Sequence, residues 1–357
     1  MGARRILVSD ATSYKAVVVT AFLKSRYPHL RVFTSDWRRG SRALHTCRSD
    51  GHFVLRHRLA DGAAYAEELR RLCESLAIDL LFPVNRREMD LLIGDRDAFG
   101  GRLSYVGDRE AYESLNRKDR LSALARECGV RVPETFPDAR HLRLPAVAKP
   151  VASSAAKGVR YLFGDEDVRR FLAQPPTGEH VFQEYVVGEG AGYSVFADEG
   201  RVLVGHGHRR LAEFPVSGGS SVYRESCPEP AMAEAAARIV ARARWSGFAM
   251  FEFKRTAAGE HYLLEANPRI WGSINQGLQS GANYFEPLLG PAAGPGPVRP
   301  HVRTYLSPLL YAALAGYAVK GDLRPLGAFL GNISRNRADI GLVQDPRAWL
   351  GSVLRVG

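Results

Sequence analysis

Phe251-Glu252-Phe253-Lys254 and, after a short interruption, Leu263-Leu264-Glu265-Ala266-Asn267-Pro268-Arg269 set two carboxylates, a carboxamide and a guanidinium among apolar and aromatic side chains. The interruption, Arg255-Thr256-Ala257-Ala258-Gly259-Glu260, is polar and carries Gly, so the whole reads as a β-hairpin. On a strand, residues two apart share a face, which points Glu265, Asn267 and Arg269 the same way. Glu252 reaches that face from the paired strand. Burying such groups without partners beside Phe251, Leu263, Ile270 and Trp271 would cost several kcal/mol, so a metal ion or a basic partner is expected. Three oxygen ligands beside a cation suit Mg²⁺ held against phosphates. The expectation is a site for ATP chemistry.

Working outward, 357 residues and 39.3 kDa can hold two or three small domains. A hydrophobic fraction of 45% and a charged fraction of 24% are ordinary for a globular protein. The N-terminus meets Ser9-Asp10 too early for the apolar centre of a signal peptide. The run Leu306 to Val319 contains Ser and Pro and is short of a membrane span, so it reads as a buried helix. Cys47, Cys73, Cys128 and Cys227 have no paired spacing, which argues against zinc or disulfides and fits the cytoplasm. The net charge of +11 is spread along the chain with no helix-turn-helix or aromatic–basic motif. That argues against nucleic acid and for anionic small-molecule substrates.

The first third alternates strand and helix: strand at 4–9, helix from Ser13 to Tyr27, strand Arg31 to Thr34, helix Tyr65 to Leu76, strand Ile78 to Val84. This pattern implies a parallel α/β unit with its ligand at the carboxyl ends of the strands. Asp10 and Asn85, just past strand ends, are candidates for substrate binding, with helix capping the plainer role. The turn after the first strand lacks G-x-G-x-x-G, and no Walker A motif occurs anywhere. A helix is expected from Asn116 to about Cys128, closed by Gly129. Leu144 to Pro150 reads as a strand bearing Lys149, followed by small residues around Lys157, including Ser153 and Ser154. Small residues let backbone N–H groups approach phosphate oxygens while lysines add charge. Arg210 and the Gly218-Gly219-Ser220 stretch offer a cation and unhindered N–H groups for a carboxylate or phosphate. His206 and His208 read as supporting or surface groups. Pro228 to Trp245 is an Ala-rich helix, and Gly290 to Pro300 a loop or linker.

E-F-K followed by L-L-E-A-N-P-R-I-W-G-S resembles the metal-binding core of the ATP-grasp superfamily, in its carbamoyl-phosphate-synthase-like and carboxylate–amine ligase branch. The resemblance covers about residues 1–290. It implies an α/β (α+β ATP-grasp) fold: a pre-grasp parallel α/β domain at 1–115, a small nucleotide-binding lobe at 116–187, and a large metal-bearing lobe at 188–290. Residues 291–357 would be a linker and C-terminal extension. It implies Glu252, Glu265 and Asn267 as metal ligands, and Arg269 with Arg210 and Lys157 as catalytic cations. ATP would meet Lys118, Lys149, Ser153, Ser154 and Lys157, with Glu184, Tyr185 and Val186 at adenine and Glu189 at the ribose. Asp10, Asn85, Arg210, Gly218, Gly219 and Ser220 fall to substrate. The family's glycines in the phosphate-covering loop are mostly Ser and Ala here.

The function implied is an ATP-dependent ligase, using Mg²⁺ with Mn²⁺ as a substitute, that joins a small carboxylate, amino acid or peptide to an amine through an acyl phosphate. Activation of bicarbonate and a catalytically silent nucleotide-binding protein stand as alternatives. A homodimer is left open.

Overall fold

The N-terminal region is a four-stranded all-parallel sheet, order β3-β2-β1-β4, as the alternating pattern predicts. In this computed structural model, residues 4–152, 157–216, 218–292 and 298–354 are described. β1 (Arg5–Val8), β2 (Arg31–Asp36), β3 (Gly51–Val54) and β4 (Leu80–Phe82) are its strands. β3 carries a histidine and a glycine and gave no strand pattern in the sequence. Tyr14–Arg26 is the helix after β1, capped by Ser13, whose hydroxyl accepts from the Lys15 amide. Asn85 caps the helix Arg86–Leu92 in the same way. The helix expected from Asn116 to about Cys128 is there as Lys118–Glu127, and a helix the sequence reading did not set out, Arg109–Asn116, precedes it. Arg117, extended at φ −91° and ψ 125°, breaks them apart and leaves Lys118 at the start of the second.

The next sheet is small and antiparallel, order β5-β8-β6-β7, from β5 (Thr135–Phe136), β6 (Ala146–Pro150), β7 (Arg160–Leu162) and β8 (His180–Glu184). The third has seven strands: β9 (Glu189–Asp198), β10 (Arg201–Phe214), β11 (Ser220–Ser226), β12 (Gly247–Arg255), β13 (His261–Asn267), β14 (Arg303–Tyr305) and β15 (Arg337–Ala338). Their order is β13-β12-β9-β10-β11-β14-β15. The hairpin that opened the sequence reading is β12–β13, with Glu252 directly opposite Glu265. Arg210 lies within the 14-residue β10 rather than in a loop. The aromatic and β-branched content of 201–214 is thin, and pairing on both sides decides its conformation.

The C-terminal segment completes this sheet instead of standing apart. β14 pairs with β11, and β15 pairs with β14. Leu306 to Val319 forms a helix only from Leu309, and only one stripe of it is buried. Leu310, Ala313 and Leu314 pack on Ala212, Val222 and Tyr223, while Tyr311 and Val319 face outward. No helix among the described residues is long and apolar enough to cross a membrane. Arg224 of β11 and Asp339 beyond β15 make a fully buried ion pair, and Asn275 donates to the same carboxylate at 2.9 Å.

Candidate active site

Two carboxylates directly opposite on paired strands repel one another unless compensated. Here three cations and a carboxamide compensate them. Asn267 Nδ2 lies 3.2 Å from Glu252 and 3.5 Å from Glu265, bridging the two. Arg210 pairs with Glu252, and also reaches Glu213 at 3.0 Å. Lys118 Nζ lies 3.3 Å from Glu265, placed there by the helix start that Arg117 creates. Arg269, one turn past β13, donates to the Asn267 carboxamide oxygen at 2.7 Å and holds its orientation. These side chains share one cavity of about 470 Å³ between the small and the seven-stranded sheets.

The field inside it is set by burial. Burial alone would raise both carboxylates. Glu252 stays raised, through burial and its neighbour Glu265, against the pull of Arg210. Glu265 ends below its ordinary value because Lys118 and Lys149 outweigh its burial. Lys149 is pushed down to about 8 by burial, and Lys15 to about 7 by burial and then by Arg269. Six cations (Lys15, Lys118, Lys149, Lys254, Arg210, Arg269) face four carboxylates (Glu184, Glu213, Glu252, Glu265) around the cavity, an excess suited to a polyanion. Nε of both Arg210 and Arg269 is buried without a hydrogen-bond partner among the described residues. Among those residues, no group of three His, Cys, Asp or Glu side chains is placed to hold a metal. The oxygen donors present are two carboxylates and one carboxamide.

The cavity lining also has an apolar part. Val147, Val159, Tyr161, Tyr185, Val186, Met250 and Leu264 line it, with Glu184 at its edge. Tyr161 packs edge-on to Tyr185 at 5.8 Å. Gly218 and Gly219 close over this part. Gly218, at φ +114°, lies where a Cβ would strike the Tyr161 hydroxyl, and a Cβ on Gly219 would strike the Phe214 carbonyl. Ser220 also lines the cavity.

Several residues singled out in the sequence lie elsewhere. Asp10 is paired with Arg38 at 2.6 Å and does not line the cavity; Asn85 is a helix cap and does not either. Glu189 begins β9 and borders a separate small depression with Arg209 and Arg255, because Gly190-Ala191-Gly192 continue as strand rather than turn. Lys157 is exposed and outside the cavity lining, though Val159 two residues on is within it. Ser153 and Ser154 lie outside the described residues. His206 and His208 are buried behind the site, not on the surface, and burial lowers both below the ordinary histidine range.

Several cavity residues escaped the sequence reading, Tyr161 among them. Lys254 stands two positions from Glu252, so period-two reasoning could have placed it on the same face. Tyr14 and Lys15 open the helix after β1, at the carboxyl end of the parallel strands. Glu213 stands three positions from Arg210 on the same strand, a spacing that strict alternation puts on opposite faces; irregularities in the β10–β11 register between the two residues accompany their pairing on one face.

Residues 116–273 match the family model of the ATP-grasp domain. A search of curated proteins finds no match. Among solved structures, the biotin carboxylase domain of the Hydrogenobacter thermophilus 2-oxoglutarate carboxylase, complexed with MgADP and bicarbonate, superposes with a TM-score of 0.62 at 14% identity over 80% of this chain and 68% of that one. The L-amino acid ligase from Bacillus licheniformis gives 0.60 at 15% identity over 84% of this chain and 78% of that one. An ADP complex of N5-carboxyaminoimidazole ribonucleotide synthetase gives 0.58 at 14% identity over 78% and 72%. At these identities the likeness is one of fold.

Proposed function

We propose, from the match of residues 116–273 to the family model of the ATP-grasp domain, that the protein is an ATP-dependent carboxylate–amine ligase. It would join a small carboxylic acid to an amine through an acyl phosphate and release ADP and phosphate. The observation that carries the reading is the convergence of Glu252, Glu265 and Asn267 with Lys118, Lys149, Arg210 and Arg269 on one cavity. Lobes at 116–187 and 188–290 would hold the nucleotide between them, with 1–115 and 291–357 walling the acceptor side. The setting proposed is cytoplasmic.

The donor chemistry suits Mg²⁺: two carboxylates and a carboxamide whose oxygen, now accepting from Arg269, would turn toward the ion, with neighbouring cations offsetting the carboxylate pair. Glu252, Glu265 and Asn267 would hold Mg²⁺, which would supply positive charge against the phosphates of ATP. Lys118 and Lys149 bind phosphate oxygens, and the apolar part beside Tyr161, Tyr185 and Val186 takes the adenine. The substrate carboxylate attacks the γ-phosphorus, and the bond to the ADP oxygen breaks. The amine then attacks the acyl carbon, phosphate leaves, and the amine proton passes to solvent. Arg269 and Arg210 stabilise the anionic acyl phosphate, and positioning with charge neutralisation does the catalysis.

The test is ADP and phosphate release from Mg-ATP with amino acids and simple acids offered singly and in pairs, followed by mass spectrometry. Release that needs both partners and yields a new amide supports the ligase. Release with bicarbonate alone favours a second reading, activation of bicarbonate, which the bicarbonate in the carboxylase complex suggests. ATP binding with no release under any condition would leave a nucleotide-binding protein without turnover.

A further inference from the structure

A second chamber of about 380 Å³ opens beside the ATP cavity, and Tyr14 lines both. Its wall is Val17, Phe214, Leu306, Leu309, Ile340 and Ala348. Three parts of the chain build it: the helix after β1, the end of β10, and the C-terminal segment. Native interiors leave few voids larger than a water molecule. A space of this size belongs instead with small-molecule sites, about 300–1,000 Å³. Its polar groups are few and partly used. The Thr12 hydroxyl already donates to Asp36 at 2.7 Å, and the Tyr14 hydroxyl lies against Gly272, where a Cβ would strike it. A ligand there finds apolar contact and little hydrogen bonding.

At the Tyr14 boundary the character changes. Lys15, the next residue of the helix, and Arg269, three residues before the Gly272 that the Tyr14 hydroxyl lies against, line the ATP cavity there. A cationic anchor at the mouth of an apolar chamber suits a molecule with a carboxylate head and a hydrophobic body. We infer that this chamber holds the apolar body of the carboxylate substrate, and that the substrate class is a carboxylic acid carrying an aromatic or branched aliphatic group. The inference rests on the ligase reading for what happens to that carboxylate, but binding can be measured without turnover. Burying each added methylene contributes about 0.8 kcal/mol, roughly a fourfold gain in affinity.

The experiment titrates acetate, isovalerate and 3-phenylpropionate into the full chain saturated with a non-hydrolysable ATP analogue and Mg²⁺, with heat as the readout. Affinity should rise about tenfold or more at each step. In Ile340→Trp, which fills the chamber, the rise should vanish while ATP-analogue affinity stays unchanged. In Leu309→Ala, which enlarges it, the preference should move toward 3-phenylpropionate, so the inference stays testable should the tryptophan variant fail to fold. A flat series in the native chain, or a series unaltered by either variant that folds, overturns the inference. ADP release is scored separately. Graded binding without release would sink the ligase reading and leave the chamber assigned; release without graded binding would do the reverse.

Discussion

Lys149 carries its charge only below about 8, because burial disfavours the ammonium. A protonated lysine attracts phosphate and a neutral one does not. ATP affinity should therefore fall as pH rises from about 8 to the higher value the lysine takes once phosphates surround it, by about tenfold per pH unit. Calorimetric titration at pH 7 and 9 should show the drop in the native protein and lose most of it in Lys149→Met. Glu265 is held ionised by Lys118 and Lys149, so Glu265→Gln should keep the fold and cut ADP release at least ~100-fold. Turnover at the native rate in that variant would remove Glu265 from the metal site. Glu88 tests the same electrostatics away from the site. It is buried, takes hydrogen bonds from Ser9 and Tyr65, and is pushed up to about 7 by burial. Between the ordinary 4.5 and about 7 the folded chain binds more protons at this group than the unfolded one, so its effect is to lower stability as pH rises through that window. Urea midpoints at pH 5 and 8 should lie closer together in Glu88→Gln than in the native chain.

Among elements, the loop between β10 and β11 decides how the cavity closes. Gly218 combines a positive φ with contact on Tyr161, and Gly219 is pressed on the Phe214 carbonyl. Any side chain at either position must move the loop or the ring below it. Gly218→Ala should raise KM for ATP several-fold while shifting the melting temperature by only a few degrees, since backbone strain of this kind costs about 1–3 kcal/mol. An unchanged KM would mean the loop does not cover the nucleotide. The hairpin β12–β13 behaves differently: its alternation of apolar and polar residues is period-two reasoning at its simplest, and Glu252 meets Glu265 where that pattern puts them. The helix after β4 is capped by Asn85, the plainer of the two roles its position allowed.

Over the whole molecule, the C-terminal segment is joined to the seven-stranded sheet by β14, β15 and the buried pair Arg224–Asp339. Removing one partner of a buried ion pair strands the other charge, which costs about 3–5 kcal/mol. Asp339→Ala should lose stability on that scale by chemical denaturation, and a loss below about 1 kcal/mol would show that the C-terminal segment is not held by this contact. The parallel N-terminal unit, the β12–β13 hairpin with its carboxylates and carboxamide, and the helix ending near Cys128 were all written in local pattern: apolar periodicity, a Gly-bearing turn, residues two apart. What local pattern could not carry was set by pairing between distant strands. Arg210 and Glu213 meet Glu252 only because β10 lies one strand from β12, across β9. Tyr14 and Lys15 reach the cavity only because the first helix packs against its far wall. Glu189 and Asp10 had the right chemistry and the wrong neighbours, since charge and spacing specify what a residue can do but not which surface it faces. By itself the sequence determined the first parallel strands with their helices and the β12–β13 hairpin that bears Glu252, Glu265 and Asn267, because those follow from contacts a few residues apart; only the tertiary structure decided β3, β10 and the C-terminal strands, most of the cavity's cations and the apolar chamber, because those depend on contacts between distant segments.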